Sequence, residues 1–167
     1  MQMNQTLPIA PRDEAVHPEQ YGAICWRMHR SKVEVLLITS RDTGRWVIPK
    51  GWPMDKRSPS EAAQQEAWEE AGVRGDIADT AIGAFNYVKL LTPKRSCECV
   101  VKVFALRVSE LVDKFPERKE RRRKWFAAEK AARMVMEPEL RQLLAGLSAN
   151  LLAAMPELRA EQALATA

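Results

Sequence analysis

The chain has 167 residues, 46% hydrophobic and 29% charged, with a formal net charge of +4. That length and balance suit one soluble domain with short tails, and no apolar run approaches the roughly 20 residues that span a bilayer. Three cysteines without framework spacing argue against a disulfide scaffold, and two histidines without partners argue against a His-based triad or His-rich metal site.

Residues 1–19 are polar and proline-dotted and read as a flexible N-terminal arm. The arm lacks the basic start and apolar stretch of a secretory signal, so a cytoplasmic protein is expected. Tyr21 to Arg27 reads as a strand, and Lys32 to Thr39, rich in β-branched residues, as a second. Asp42-Thr43-Gly44 signals a turn. Arg45 to Ile48 reads as a short strand stopped by Pro49. Ser58 is a good helix N-cap, Pro59 suits the first helical position, Glu61 completes a capping box, and Gly72 suits a left-handed C-terminal cap. Ala63, Ala67 and Ala71 give that helix a flank small enough for close packing on a sheet, and Trp68 is expected to pack rather than react. Strand-like pieces follow at Ala81–Val88 and Glu98–Val108, joined by a basic loop from Thr92 to Ser96. Lys124 to Phe126 reads as a short strand, and Ala127–Val135 and Pro138–Leu147 as helices. Residues 148–167, rich in Ala and Leu, form a helical or mobile tail. Strands alternating with two or three helices indicate an α/β sandwich.

Glu66, Glu69 and Glu70 fall within about a 100° arc of the helix. Like charges so placed cost roughly 0.2–0.5 kcal/mol per pair, a repulsion that water or a divalent cation would offset. The excess positive charge gathers in Arg118–Lys124, which reads as a solvated face or as a contact for nucleic acid or a polyanionic small molecule. Nucleic acid is not favoured, because no RNP motif, zinc finger or aromatic-interleaved basic stripe accompanies the run. Lys94 and Arg95 lie on a loop within reach of a polyanion. Cys97-Glu98-Cys99 lacks the second Cys/His cluster of a zinc site, so its cysteines read as ordinary strand thiols.

Gly51, Glu66, Glu69, Glu70, Gly72 and Val73, with Ala67 as a small aliphatic, match the spacing of the Nudix box, G-x5-E-x7-R-E-U-x-E-E-x-G-U. From Gln20 to Leu144 the chain resembles the Nudix hydrolases. Val35–Arg41, Arg45–Gly51 and Arg121–Phe126 resemble the diphosphoinositol polyphosphate phosphohydrolase branch. The resemblance implies an α/β/α sandwich around a mixed β-sheet, with the Nudix domain over residues 20–147. It implies that Glu66 and Glu70, with the Lys50 carbonyl, hold Mg²⁺ (or Mn²⁺ in its place), and that Glu69 is the general base. It makes Thr39, Ser40, Arg41 and Arg121 contacts for substrate phosphates. Two positions depart from the box. Arg57 stands where the family has its first glutamate, and Gln65 where it has the arginine that orients the glutamates, so Arg57, Gln65 and Gly51 frame the acids.

The implied activity is metal-dependent hydrolysis of a phosphoanhydride in a highly anionic substrate, a diphosphoinositol polyphosphate or a dinucleoside polyphosphate. The alternatives are a pyrophosphatase for nucleotides or nucleoside diphosphate sugars, and a catalytically weak domain that senses a phosphorylated ligand. The expected partner is a phosphorylated small molecule with no membrane, and a homodimer stays open. Glu70→Gln is expected to remove activity from an exposed face without disturbing the fold.

Overall fold

A computed structural model describes residues 17–164, so most of the expected N-terminal arm and residues 165–167 lie outside the described residues. Eight strands form one sheet: β1 (Glu19–His29), β2 (Lys32–Thr39), β3 (Trp46–Val47), β4 (Lys50–Gly51), β5 (Val73–Ile77), β6 (Gly83–Thr92), β7 (Arg95–Leu111) and β8 (Arg123–Ala127). The main path runs β3-β2-β1-β7-β5, with β4 paired to β1, β6 to β7 and β8 to β2. Only β1 and β7 run parallel, so the sheet is mixed, as the resemblance implies.

Helices cover both faces. The central strands therefore lack a polar side: in β1, Ala23 and Cys25 enter one apolar cluster while Ile24 and Trp26 enter the other. The first cluster is closed by α1 (Pro59–Ala71), whose Ala63, Ala67 and Ala71 bring the helix close against Ala23, Leu36 and Ile38. The opposite face carries α2 (Ala128–Met134), α3 (Pro138–Ala145), α4 (Leu147–Ala154) and α5 (Glu157–Leu164), which bury Ala131, Leu140, Leu144, Leu147, Leu151 and Leu158. Among the described residues no helix is long and apolar enough to cross a membrane.

The ends of α1 follow local chemistry. The Ser58 hydroxyl accepts from the Glu61 amide while the Glu61 carboxylate accepts from the Ser58 amide. At the other end Gly72 adopts φ 67°, and a Cβ there would sit 2.5 Å from Phe115. Other elements differ from the sequence reading. β5, over VRGDI, is not assigned from the sequence; pairing with β7 across a register shift between Arg74 and Gly75 supplies what local propensity does not. The expected Thr92–Ser96 loop shrinks to a tight turn in which Thr92 already pairs with Arg95. The helix expected over Pro138–Leu147 ends at Ala145 and restarts at Leu147 after Gly146, so α4 and α5 fold the expected tail onto the core.

Candidate functional site

The short strand β4 and the acidic side of α1 make the floor of the site. The Lys50 amide donates to Glu70 Oε2 at 3.2 Å. The Glu66 carboxylate lies directly over Gly51, so close that a Cβ there would sit 2.1 Å from Glu66 Oε1. Glycine at 51 is therefore a matter of approach, the backbone making room for the carboxylate. Glu70 is not on an exposed face, contrary to the sequence expectation: it is 8% exposed. Its second oxygen accepts from Arg121 Nη2 at 3.2 Å.

Arg121 arrives from the segment before β8 and is itself clamped. Its guanidinium also donates to Glu117 at 3.3 Å and to the Thr39 carbonyl at 3.1 Å, while the Thr39 hydroxyl accepts from the Arg122 amide at 2.9 Å. The end of β2 thus fixes Arg121, and Arg121 fixes Glu70. This ion pair offsets part of the repulsion along α1. Burial, then the neighbouring charges of Glu70, Glu69 and Glu117, push the Glu66 carboxyl up to about 8. Burial pushes Glu70 up to about 7 against the opposing pull of Arg121 and Lys50. Burial also lowers the Lys50 ammonium, which lies 4.7 Å over the ring of Tyr87.

Above this floor opens a cleft of about 610 Å³. Glu66, Glu70, Lys50 and Gly51 reach it, with Ser40, Arg41, Arg45, Tyr87, Lys89, Glu117 and Arg121 around them and the exposed Trp52 and Leu90 on its lip. Ser40 bonds to the Thr43 hydroxyl at 2.6 Å. Arg41 faces Glu117 at 3.3 Å and Glu120 at 3.5 Å, and Arg45 pairs with Glu137 at 2.8 Å.

Several expected site residues stand elsewhere. Thr39 is buried behind the cleft and serves Arg121 and Arg122. Glu69 does not line the cleft; its Oε1 accepts from Gln65 Nε2 at 3.0 Å. Arg57 and Gln65 share a separate hollow with Trp68, on whose ring Arg74 stacks at 4.1 Å. Lys94 and Arg95 sit at the β6–β7 turn and do not line the cleft. Glu117, Arg45 and Lys89 were not singled out by the sequence reading. The run of charge beginning at Glu117 was the available signal, read for its cations alone.

The donor set suits a hard divalent cation. Glu66 and Glu70 offer carboxylate oxygens beside the Lys50–Gly51 backbone, and their raised pKa values, caused first by burial, mark ionised forms that a bound cation would stabilise. Among the described residues no three His, Cys, Asp or Glu side chains form a ready cage. That arrangement is compatible with Mg²⁺, which retains several waters and takes only one or two protein carboxylates.

The family model described as the NUDIX domain matches residues 18–147. The chain belongs to the Nudix family. Mitochondrial Nudix hydrolase 12 of Arabidopsis thaliana is 38% identical over 104 residues, 60% of this chain and 51% of that protein. Diphosphoinositol polyphosphate phosphohydrolase 3-alpha of Homo sapiens is 31% identical over 134 residues, 79% of this chain and 76% of that protein. The crystal structure of a C. elegans Ap4A hydrolase binary complex superposes with a TM-score of 0.63 at 23% identity, over 81% of this chain and 98% of that one, a likeness of fold. The chain matches about half the length of Arabidopsis Nudix hydrolases 12 and 13, 51% and 52%. Within this Nudix frame, the cation that meets the glutamates comes from Arg121 across the cleft, while Gln65 offers Glu69 a neutral hydrogen bond.

Proposed function

We propose that this Nudix chain is a divalent-cation-dependent hydrolase that opens phosphoanhydride bonds in a highly anionic small molecule by attack of water. The observation that carries this reading is the meeting of Glu66 and Glu70 under a cleft rimmed by Arg41, Arg45 and Lys89. Glu66, Glu70 and the Lys50 carbonyl would hold Mg²⁺, or Mn²⁺ in its place, which when bound polarises phosphoryl oxygen and acidifies a coordinated water. Arg121 keeps Glu70 in position. Arg41, Arg45 and Lys89 bind phosphates remote from the scissile bond, and Glu69, which lies outside the cleft bonded to Gln65, would have to leave Gln65 and turn toward the cleft to take the proton of the attacking water. A diphosphoinositol polyphosphate or a dinucleoside polyphosphate fits the density of positive charge, and the 31% identical human relative supports the former.

A second reading, a pyrophosphatase for nucleotides or nucleoside diphosphate sugars, is favoured by the lip. Trp52 is 41% exposed there, an aromatic surface suited to a nucleobase and of little use to a bare inositol polyphosphate. The third reading, a catalytically weak sensor, rests on Gln65 and Arg57 in place of the family residues. Chromatographic separation of the products from a diphosphoinositol polyphosphate, a dinucleoside polyphosphate and ADP-ribose, with Mg²⁺, with Mn²⁺ and with chelator, separates the three. Cation-dependent turnover of the first two supports the leading reading, and turnover of ADP-ribose alone supports the second. Binding without turnover in every arm supports the sensor.

A further inference from the structure

Cys97 and Cys99 have no part in the proposed reaction, yet the fold brings them together. Two residues apart on β7, they project from the same face of the sheet, and their sulfur atoms lie 3.4 Å apart. Both are free thiols, Cys99 buried and Cys97 partly exposed. Across the hairpin Cys99 pairs with Tyr87 and Cys97 with Lys89, and both partners line the cleft. The Tyr87 hydroxyl donates to the buried Gln20, and the Lys50 ammonium rests over the Tyr87 ring. The two thiols therefore back the part of the cleft wall nearest the β4 floor.

We propose that Cys97 and Cys99 are an oxidisable dithiol that closes to a disulfide and thereby reshapes this wall of the cleft. The oxidant is a hydroperoxide, hydrogen peroxide being the simplest. The Cys97 thiolate attacks one peroxide oxygen, the O–O bond breaks, and the departing hydroxide is protonated to water, leaving a sulfenic acid. The Cys99 sulfur then attacks the Cys97 sulfur. The S–O bond breaks, and the hydroxide leaves with the Cys99 proton as a second water. Two thiols and one peroxide become one disulfide and two waters. Attack begins at Cys97 because it is the accessible member; burial and the neighbouring Cys97 push the Cys99 thiol up to about 11.

Backbone spacing makes the bond labile. At roughly 3.4 Å rise per residue, alternate Cα atoms on a strand stand about 6.8 Å apart, the upper limit of what a disulfide spans. Closure must shorten β7 locally, and strained disulfides are the readily reduced, regulatory kind. β6 is hydrogen-bonded to β7 along this stretch, so the distortion passes to Tyr87 and Lys89. A zinc site fits less well, since structural zinc takes four ligands and the described residues bring no group of three donors together.

The test treats the full chain with hydrogen peroxide, alkylates the remaining thiols after denaturation, and maps the products by peptide mass. The expected product carries an intramolecular Cys97–Cys99 disulfide that dithiothreitol reverses, with Cys25, fully buried, still open to alkylation. In Cys99→Ser, which removes the resolving thiol, Cys97 should instead be trapped as a sulfenic acid by dimedone. Sulfinic acid at Cys97 with Cys99 still reduced, or a disulfide between chains, would overturn the proposal. Hydrogen exchange over Gly83–Thr92 reads the reach to the cleft without any substrate. Faster exchange in the oxidised parent and none of that change in peroxide-treated Cys97→Ser is expected. Equal protection of the oxidised and reduced parent would show that the wall does not respond.

Discussion

At Glu70 one carboxylate has two partners of different kinds, and that decides what its loss should do. One oxygen accepts the Lys50 amide and the other the Arg121 guanidinium. Glu70→Gln keeps the shape but removes the charge, so the proposed hydrolysis should lose most of its rate. Burial holds the Glu70 carboxyl up to about 7, so above that pH removing its charge offsets the lost bond to Arg121 and stability should change little. Denaturant unfolding beside product formation on the same substrates checks both, and an active variant with unchanged Mg²⁺ dependence would remove Glu70 from the metal set. Arg121→Ala belongs with it. A free phosphate-binding arginine would raise KM for the most highly charged substrates, but this one is 8% exposed and spent on Glu70, Glu117 and Thr39. Removing one member of a buried pair costs about 3–5 kcal/mol, and Glu70 keeps the Lys50 amide, so the lower end is expected. A fall in kcat shared by long and short substrates should accompany it; a KM effect confined to polyphosphorylated substrates would restore the direct contact. Gly51→Ala is the gentler probe. Its methyl would meet the Glu66 side chain from Oε1 at 2.1 Å back to Cγ at 2.8 Å, so Glu66 should swing aside with a modest loss of Tm. Activity should fall at least as far as in Glu66→Gln, and near-parental activity would show that Glu66 tolerates displacement.

At the scale of elements, α1 was the most legible part of the chain because its signals are local. Ser58, Glu61 and Gly72 act on backbone groups within a turn of themselves, and the structure uses each as written. The bounds of β2 were legible for the same reason, its β-branched run ending at Thr39. β5 was not, since a strand containing Gly75 and Asp76 exists only through β7. Glu117 was hidden in another way: it reaches the acids from an irregular segment that the chain folds back over α1, with its amide bonded to the Glu69 carbonyl. Lys94 and Arg95 failed in the opposite direction, because a basic turn says nothing about where its hairpin points. The box departures can be weighed in the same way. Gln65 holds Glu69 through one neutral bond, and Arg57 is exposed nearby. Gln65→Arg should therefore keep activity or raise it, and Gln65→Arg with Arg57→Glu should do better by removing a like charge. If both variants hydrolyse every substrate more slowly than the parent, the neutral bond is the working arrangement rather than a weakened one.

For the whole molecule, the buried acids couple folding to pH and to cations. The ordinary glutamate value of 4.5 is raised to about 8 at Glu66 and about 7 at Glu70, with burial the largest cause of each. Between those limits the folded chain holds protons that the unfolded chain has released. Stability from these two groups is therefore present at low pH and lost as pH rises through their folded values. A cation that binds the ionised pair acts in the opposite sense, adding stability by mass action and competing with the protons for the same oxygens. In chelator, Tm should fall as pH rises from about 5 to about 8 by more in the parent than in Glu66→Gln, since the amide cannot titrate. Excess Mg²⁺ should then raise the parent's Tm more at the upper pH than at the lower, and should raise that of Glu66→Gln little at either. Differential scanning calorimetry across that range, with and without Mg²⁺, reads all of this without a substrate. A parent whose Tm ignores Mg²⁺ at the upper pH would mean that Glu66 and Glu70 do not hold the ion. The opposed charges on α1 would then be relieved by Arg121 and by protons alone, and the sensor reading would gain over the hydrolase.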